Sequence, residues 1–114
     1  MDSEDKIHQD CYVFFHNNYP ELRGLLSYNL NNSKNKIDGS RNRAKGLTVG
    51  RSDLELNFKG KTTFIELKTE SGVQSPDQKA WQTLMESHGF EYYIIRNLDE
   101  FKLLISNLTS SPNN

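Results

Sequence analysis

With 114 residues, 34% of them hydrophobic and 25% charged, the chain can bury one core but not two, and it is too apolar to stay disordered. A formal net charge of −1 excludes a uniformly basic surface, and no apolar run approaches the ~20 residues needed to cross a bilayer. The lone Cys11 permits no internal disulfide, and the acidic start Met1-Asp2-Ser3-Glu4-Asp5 lacks the positive head of a secretory signal, so a reducing cytoplasm is the expected compartment.

In chain order, the first predicted helix runs from Glu4 to Asn18, with Ile7, Cys11 and the neighbouring Phe14 and Phe15 as its core side. A turn at Tyr19-Pro20, a short helix over 21–26 and a first strand over 26–30 follow, ending in the Asn31-Asn32 loop. Next comes a basic run, Lys34, Lys36, Arg41, Arg43, Lys45 and Arg51, opposed only by Asp38 and holding a short helix over 40–45. Positive charge concentrated in this way suits a polyanionic backbone; the competing reading is a solvated loop.

The segment from Asp53 to Lys68 reads as a hairpin. Leu54, Leu56 and Phe58 alternate with polar residues, and Phe64, Ile65 and Leu67 supply the apolar part of the second strand. With Lys59-Gly60 as a two-residue turn, Phe58 pairs with Lys61, and Asp53 falls opposite Glu66. Directly opposed residues share a face, with Cβ atoms roughly 4.5–5.5 Å apart. A three-residue turn would instead pair Asp53 with Leu67 and send Glu66 to the other face.

Ser75-Pro76-Asp77-Gln78 is a helix start, with an N-cap serine, proline at the first position and a glutamine that completes a capping box. That helix should run to His88, with Gly89 after it and Trp81, Leu84 and Met85 facing inward. Gln78 lies near the same stripe, so it either caps its own helix or reaches toward the hairpin. A strand over 91–96, a helix over 98–108 and a Ser/Pro/Asn-rich tail over 109–114, expected to be disordered, complete the chain. One domain over 1–108 is expected. The order predicts an α/β fold with a mixed sheet flanked by helices, because strand, helix, strand after a hairpin requires a crossover. His8, His16 and His88 show no zinc-site pairing and read as structural or surface residues.

Facing carboxylates repel unless something positive lies between them, and a divalent cation meets that need. Mg²⁺ takes oxygen ligands, usually one or two carboxylates plus water and phosphate oxygens. Asp53 and Glu66 are the candidate ligands, with the main-chain carbonyl of Leu67 as a further oxygen. Lys68, two residues on along the same face, is placed to orient an attacking water or offset charge on a phosphate. The competing reading, the solvated face of an ordinary hairpin, predicts neither metal binding nor DNA affinity.

Taken together, Val49-Gly50-Arg51-Ser52-Asp53, Phe64-Ile65-Glu66-Leu67-Lys68-Thr69 and Ser75-Pro76-Asp77-Gln78-Lys79-Ala80-Trp81 resemble the VRR-NUC domain of the PD-(D/E)XK nuclease superfamily. The resemblance extends over about 5–105 and takes in Tyr19-Pro20-Glu21-Leu22, Asn31-Asn32 and Tyr92-Tyr93-Ile94-Ile95-Arg96. It implies a restriction-endonuclease-like core and a Mg²⁺- or Mn²⁺-dependent DNA endonuclease. Asp53 and Glu66 would be metal ligands, Lys68 the catalytic lysine and Gln78 a supporting residue. Members of about this length are similar to homodimeric enzymes that act on branched DNA such as four-way (Holliday) junctions. The sequence departs from the family pattern at Ser52, where proline is frequent, and at Leu30-Asn31-Asn32-Ser33, where the family loop is usually Pro-Asn-Gly-Gly. The family's first helix often carries Glu or Gln near the site; His8 and Gln9 lie at the match, and Gln9 is assigned. A non-catalytic nucleic-acid-binding module on the same fold is the alternative, and it should lack one of Asp53, Glu66, Lys68 and Gln78.

Overall fold

A computed structural model of the chain describes residues 2–29 and 36–110, residues 36–39 by their backbone alone. Helix α1 (Glu4–Asn18) opens it, with Ser3 accepting a hydrogen bond from the Lys6 amide as N-cap and Glu4 and Asp5 in the first turn. Pro20–Leu22 is a single 3-10 turn, shorter than the helix expected over 21–26, because Leu26 already belongs to strand β1 (Leu26–Tyr28). Helix α2 (Lys36–Ala44) begins earlier than expected and leads toward β2 (Leu54–Phe58) and β3 (Lys61–Leu67). Helix α3 (Pro76–Ser87), strand β4 (Glu91–Ile95) and helix α4 (Leu98–Thr109) follow. Thr109 extends the last helix and Ser110 caps it, so the end expected at 108 moves outward; the rest of the predicted tail, 111–114, lies outside the described residues.

The sheet order is β1-β2-β3-β4, antiparallel except for the parallel β3–β4 pair that α3 connects. The expected α/β fold with a mixed sheet flanked by helices is the fold observed. Phe58 pairs with Lys61, which makes Lys59-Gly60 the two-residue turn and excludes the three-residue alternative. Both turn residues have positive φ, 49° and 80°, the pair of left-handed conformations a tight hairpin turn uses.

Side chains alternate across this sheet and divide it into two faces. On one, Leu54, Leu56, Ile65, Leu67 and Ile95 pack against Ile7, Cys11 and Phe15 of α1 and Phe101, Leu104 and Ile105 of α4. Cys11 is wholly buried there, and loss of water, with a smaller contribution from Asp10, pushes its thiol up to about 12. On the other face Phe64 and Tyr92 meet Trp81 of α3, with Met85 and Ile94 at the margin. Leu84, expected inward, is half exposed, since the stripe runs from Trp81 to Met85. Among the described residues no helix is long and apolar enough to span a membrane.

Candidate active site

The α3 face carries the polar residues that the hairpin pattern singled out. Continuing the β2–β3 register one step beyond Leu54↔Ile65 sets Asp53 opposite Glu66. The chain enters β2 at Leu54, and just before it the Asp53 carboxylate takes the place of a ladder acceptor. Its Oδ2 receives the Leu67 amide at 2.7 Å, while its own carbonyl receives the Asn29 amide at 2.7 Å. The next amide, that of Lys68, donates to Ile95 on the opposite edge of β3. A residue in an extended strand sends its N–H and C=O to the same edge, so the Leu67 carbonyl is directed to Asp53's side.

Glu66 is fully buried. Its Oε1 accepts the Tyr92 hydroxyl at 2.5 Å and the Gln74 amide at 2.9 Å. Its Oε2 is buried and has no hydrogen-bond partner, and the nearest cation is Lys68 Nζ at 3.7 Å. A buried carboxylate oxygen with no hydrogen bond and only this long ion pair is expensive, because the low-dielectric interior offers it no solvation, and a closer cation would relieve it. Burial drives the Tyr92 hydroxyl well above its ordinary range; its bond to Glu66 and the charges of Glu66 and Asp53 add to this, and Gln74 only partly opposes it. Tyr92 therefore keeps its proton and donates a hydrogen bond to Glu66.

Two expected site residues stand elsewhere. Gln78 caps its own helix: its Oε1 accepts the Ser75 amide at 2.8 Å while Ser75 Oγ accepts the Gln78 amide at 3.2 Å. The amide beside Glu66 belongs to Gln74, whose Nε2 also donates to Gln82 Oε1 at 2.8 Å; Gln82 in turn donates to Glu86. Nothing in the sequence marks Gln74, because it lies in a loop without periodicity. Gln9 is exposed, and the residue of α1 that shares the field of the site is Glu4. Loss of water at its carboxyl raises the Glu4 pKa, Lys68 opposes this, and Asp53, Glu66 and Asp5 add to the rise. Helical spacing could have indicated it. Glu4 lies one turn before Ile7 on the buried stripe, whereas Gln9, two residues after Ile7, is turned away. His8 packs edge-on against Tyr28, ring centroids 4.9 Å apart.

The surrounding loops are held tightly. Gly50 has φ +83°, and a Cβ there would stand 2.4 Å from the Asp77 carbonyl, so only glycine lets the turn leading to Asp53 press on the start of α3. Arg51, counted above with the basic run, pairs with Glu55 at 2.7 Å and lies over the Trp81 ring at 5.9 Å, so it buttresses this face. Burial alone would raise Glu55, but hydrogen bonds from Arg51, Asn57 and Asn29 outweigh it and hold the carboxyl below its ordinary value. Arg96 donates to the carbonyls of Thr69 at 2.8 Å and Gly72 at 2.7 Å, pinning the turn between Lys68 and Gln74. Arg41, Arg43 and Lys45 are exposed on and just after α2; the Lys36 side chain and Lys34 lie outside what is described. A groove of about 730 Å³ at the turn end of the hairpin, lined by Phe58, Thr62, His88, Phe90 and Tyr93, contains none of the site residues.

No family model matches this sequence, and no curated protein does. Among solved structures the chain is similar to a protein described as a "VRR_NUC domain protein", with a TM-score of 0.80 and 14% sequence identity over 96% of this chain and 90% of that one. The chain has the VRR-NUC fold. Identity of 14% carries the backbone arrangement and nothing of the chemistry, so any role for the VRR-NUC fold here depends on the side chains just described.

The donor set fits a hard divalent cation. Asp53, Glu66 Oε2 and the Leu67 carbonyl are oxygens, and the buried Oε2 has no hydrogen bond, leaving it open to an ion closer than Lys68. Among the described residues no group of three or more His, Cys, Asp or Glu is arranged to hold a metal alone. Two carboxylates leave coordination positions for water and substrate, as Mg²⁺ sites commonly do.

Proposed function

We propose that this protein is a Mg²⁺- or Mn²⁺-dependent endodeoxyribonuclease that hydrolyses phosphodiester bonds in branched DNA such as four-way junctions, working as a homodimer. The observation that carries the reading is Glu66: a fully buried carboxylate with one oxygen saturated, the other without a hydrogen-bond partner, and Lys68 3.7 Å away. Such an arrangement is unfavourable as pure scaffold and useful as a cation site. The similar structure's description as a VRR_NUC domain protein agrees with it.

Asp53, Glu66 Oε2 and the Leu67 carbonyl would hold the cation. When bound there, it would acidify a coordinated water and polarise a phosphoryl oxygen. Lys68, nearly buried, carries a fixed positive charge to orient the attacking water and offset charge growing on the phosphate. Glu4, which feels the charges of Lys68, Asp53 and Glu66, adds a carboxylate near the site. Arg41, Arg43 and Lys45 present exposed charge to the DNA backbone, with Lys34 and Lys36 in the same stretch of sequence. One such site cuts one strand, so paired cuts across a junction need two copies related by symmetry.

The test is cleavage of labelled junction, flap, duplex and single-stranded DNA in Mg²⁺, Mn²⁺ or EDTA, beside Glu66→Gln. Metal-dependent paired cuts in junctions, absent in the variant, are expected. Binding without cutting in any metal would move the function to recognition, the non-catalytic alternative. Arg41→Ala and Arg43→Ala should each reduce the slope of log affinity against log salt by about 0.9 if those residues neutralise phosphates.

A further inference from the structure

The two oxygens of Glu66 are treated unequally. Oε1 is held by the Tyr92 hydroxyl and the Gln74 amide, while Oε2 has no hydrogen-bond partner. Each donor is itself fixed. The Tyr92 ring lies against Trp81, centroids 6.0 Å apart, in the aromatic cluster on this face. The Gln74 carboxamide cannot turn over without losing its bond to Gln82 Oε1, and Gln82 is oriented by its own bond to Glu86 Oε2 at 3.2 Å. A chain of amides therefore runs from the surface of α3 to a single oxygen of a buried carboxylate.

We propose that Tyr92 and Gln74 are positioning residues that lock Glu66 as a one-oxygen ligand and so tune the site toward a small octahedral cation. The proposal rests on the cation-site reading above. Ca²⁺ accepts six to eight oxygens and commonly takes carboxylates through both, whereas Mg²⁺ demands near-ideal octahedral geometry with single oxygens. With Oε1 occupied by two donors, Glu66 offers Oε2 alone. That satisfies Mg²⁺ or Mn²⁺ and denies Ca²⁺ a bidentate partner. Partners that orient a ligand in this way typically govern metal affinity by about 10–100-fold.

The test uses the full chain without DNA, with Mn²⁺ as probe. Binding is followed by the loss of the free-ion electron paramagnetic resonance signal and by calorimetry, with Ca²⁺ as competitor. Tyr92→Phe keeps the ring in its aromatic cluster and removes only the hydroxyl. Gln74→Ala changes a loop residue and serves if the tyrosine variant fails to fold. Glu66→Gln is the reference for a site with its carboxylate gone. The expected result is that both variants weaken Mn²⁺ by about tenfold or more and narrow the Mn²⁺-over-Ca²⁺ preference, as Oε1 is released. Wild-type Mn²⁺ affinity and an unchanged preference in both variants, with binding still lost in Glu66→Gln, would overturn the lock and leave the cation site standing. An equal loss for both cations would overturn it too, since packing alone would then explain the effect. No Mn²⁺ binding by the wild type beyond that of Glu66→Gln would remove the cation site and the lock together.

Discussion

The two faces of the sheet are built from the same strands yet do opposite things. Toward α1 and α4 the strands present Leu54, Leu56, Ile65 and Leu67, none more than 1% exposed, closed over by Phe15, Phe101 and Ile105. Toward α3, an aromatic cluster of Phe64, Trp81 and Tyr92 gives way to Glu66, Lys68 and Asp53 at the end where β2 begins and β3 finishes. Burial of apolar side chains on the first face stabilises the fold. On the second face the same strands hold a carboxylate whose Oε2 has no hydrogen bond and only a 3.7 Å ion pair with Lys68. Rigidity from one face lets the other maintain an unfavourable group in a set position, which is how strained or undersolvated sites persist.

If the faces divide stability from chemistry in this way, single substitutions should separate them. Glu66→Gln should have the largest effect, a fall in cleavage of about 10³-fold or more, since a cation's contribution of several kcal/mol corresponds to that range. Its thermal midpoint should equal or exceed that of the wild type, because a buried charge is gone; a clear drop in midpoint would mean that Glu66 belongs to the scaffold. Phe101→Ala, on the other face, should cost about 3–5 kcal/mol in denaturant unfolding while Mn²⁺ affinity of the folded protein stays unchanged. Loss of Mn²⁺ binding in proportion to stability would show that the faces are not independent.

Smaller changes sharpen the same division. Gly50→Ala meets both a positive φ and the Asp77 backbone, so it should destabilise by about 1–3 kcal/mol and also weaken Mn²⁺ binding by displacing Asp53. An effect on stability alone would separate the 49–52 segment from the site. Ser75→Ala removes the N-cap of α3 and should cost about 1 kcal/mol, seen as a lower unfolding midpoint with Gln74 undisturbed.

The smallest expected effect is a pH dependence from Glu55. Its folded value lies below the ordinary 4.5, so the stabilisation is present above that pH and is lost as pH falls through the folded value. Because the pair with Arg51 is partly exposed, its contribution should be about 1 kcal/mol or less. Glu55→Gln should flatten the acid limb of an unfolding-midpoint profile by that amount.

Local rules located much of this in advance. The alternation of Leu54, Leu56 and Phe58 puts Asp53 opposite Glu66 if Lys59-Gly60 is a two-residue turn, which is the turn observed, and the Ser75–Gln78 pattern locates the capping box, because each depends on residues a few positions apart. The resemblance points to Gln9 on the first helix, whereas helical spacing from Ile7 favours Glu4, the residue whose carboxyl feels the site's charges. For Gln78 the periodicity left both its readings open, and the bond to Ser75 decided for the cap.

The sequence by itself determined the starts of α1, α3 and α4 and the class of fold, since period and capping act over short separations, and it narrowed the hairpin to two registers of which the structure holds one. Only the tertiary structure decided what surrounds Glu66. Tyr92 arrives through the parallel pairing of β3 with β4, 26 residues away, and Gln74 through a turn that Arg96 holds by its carbonyls. Those partners follow from where a crossover helix returns the chain to the sheet, and long-range placement of that kind leaves no local pattern in the residues themselves.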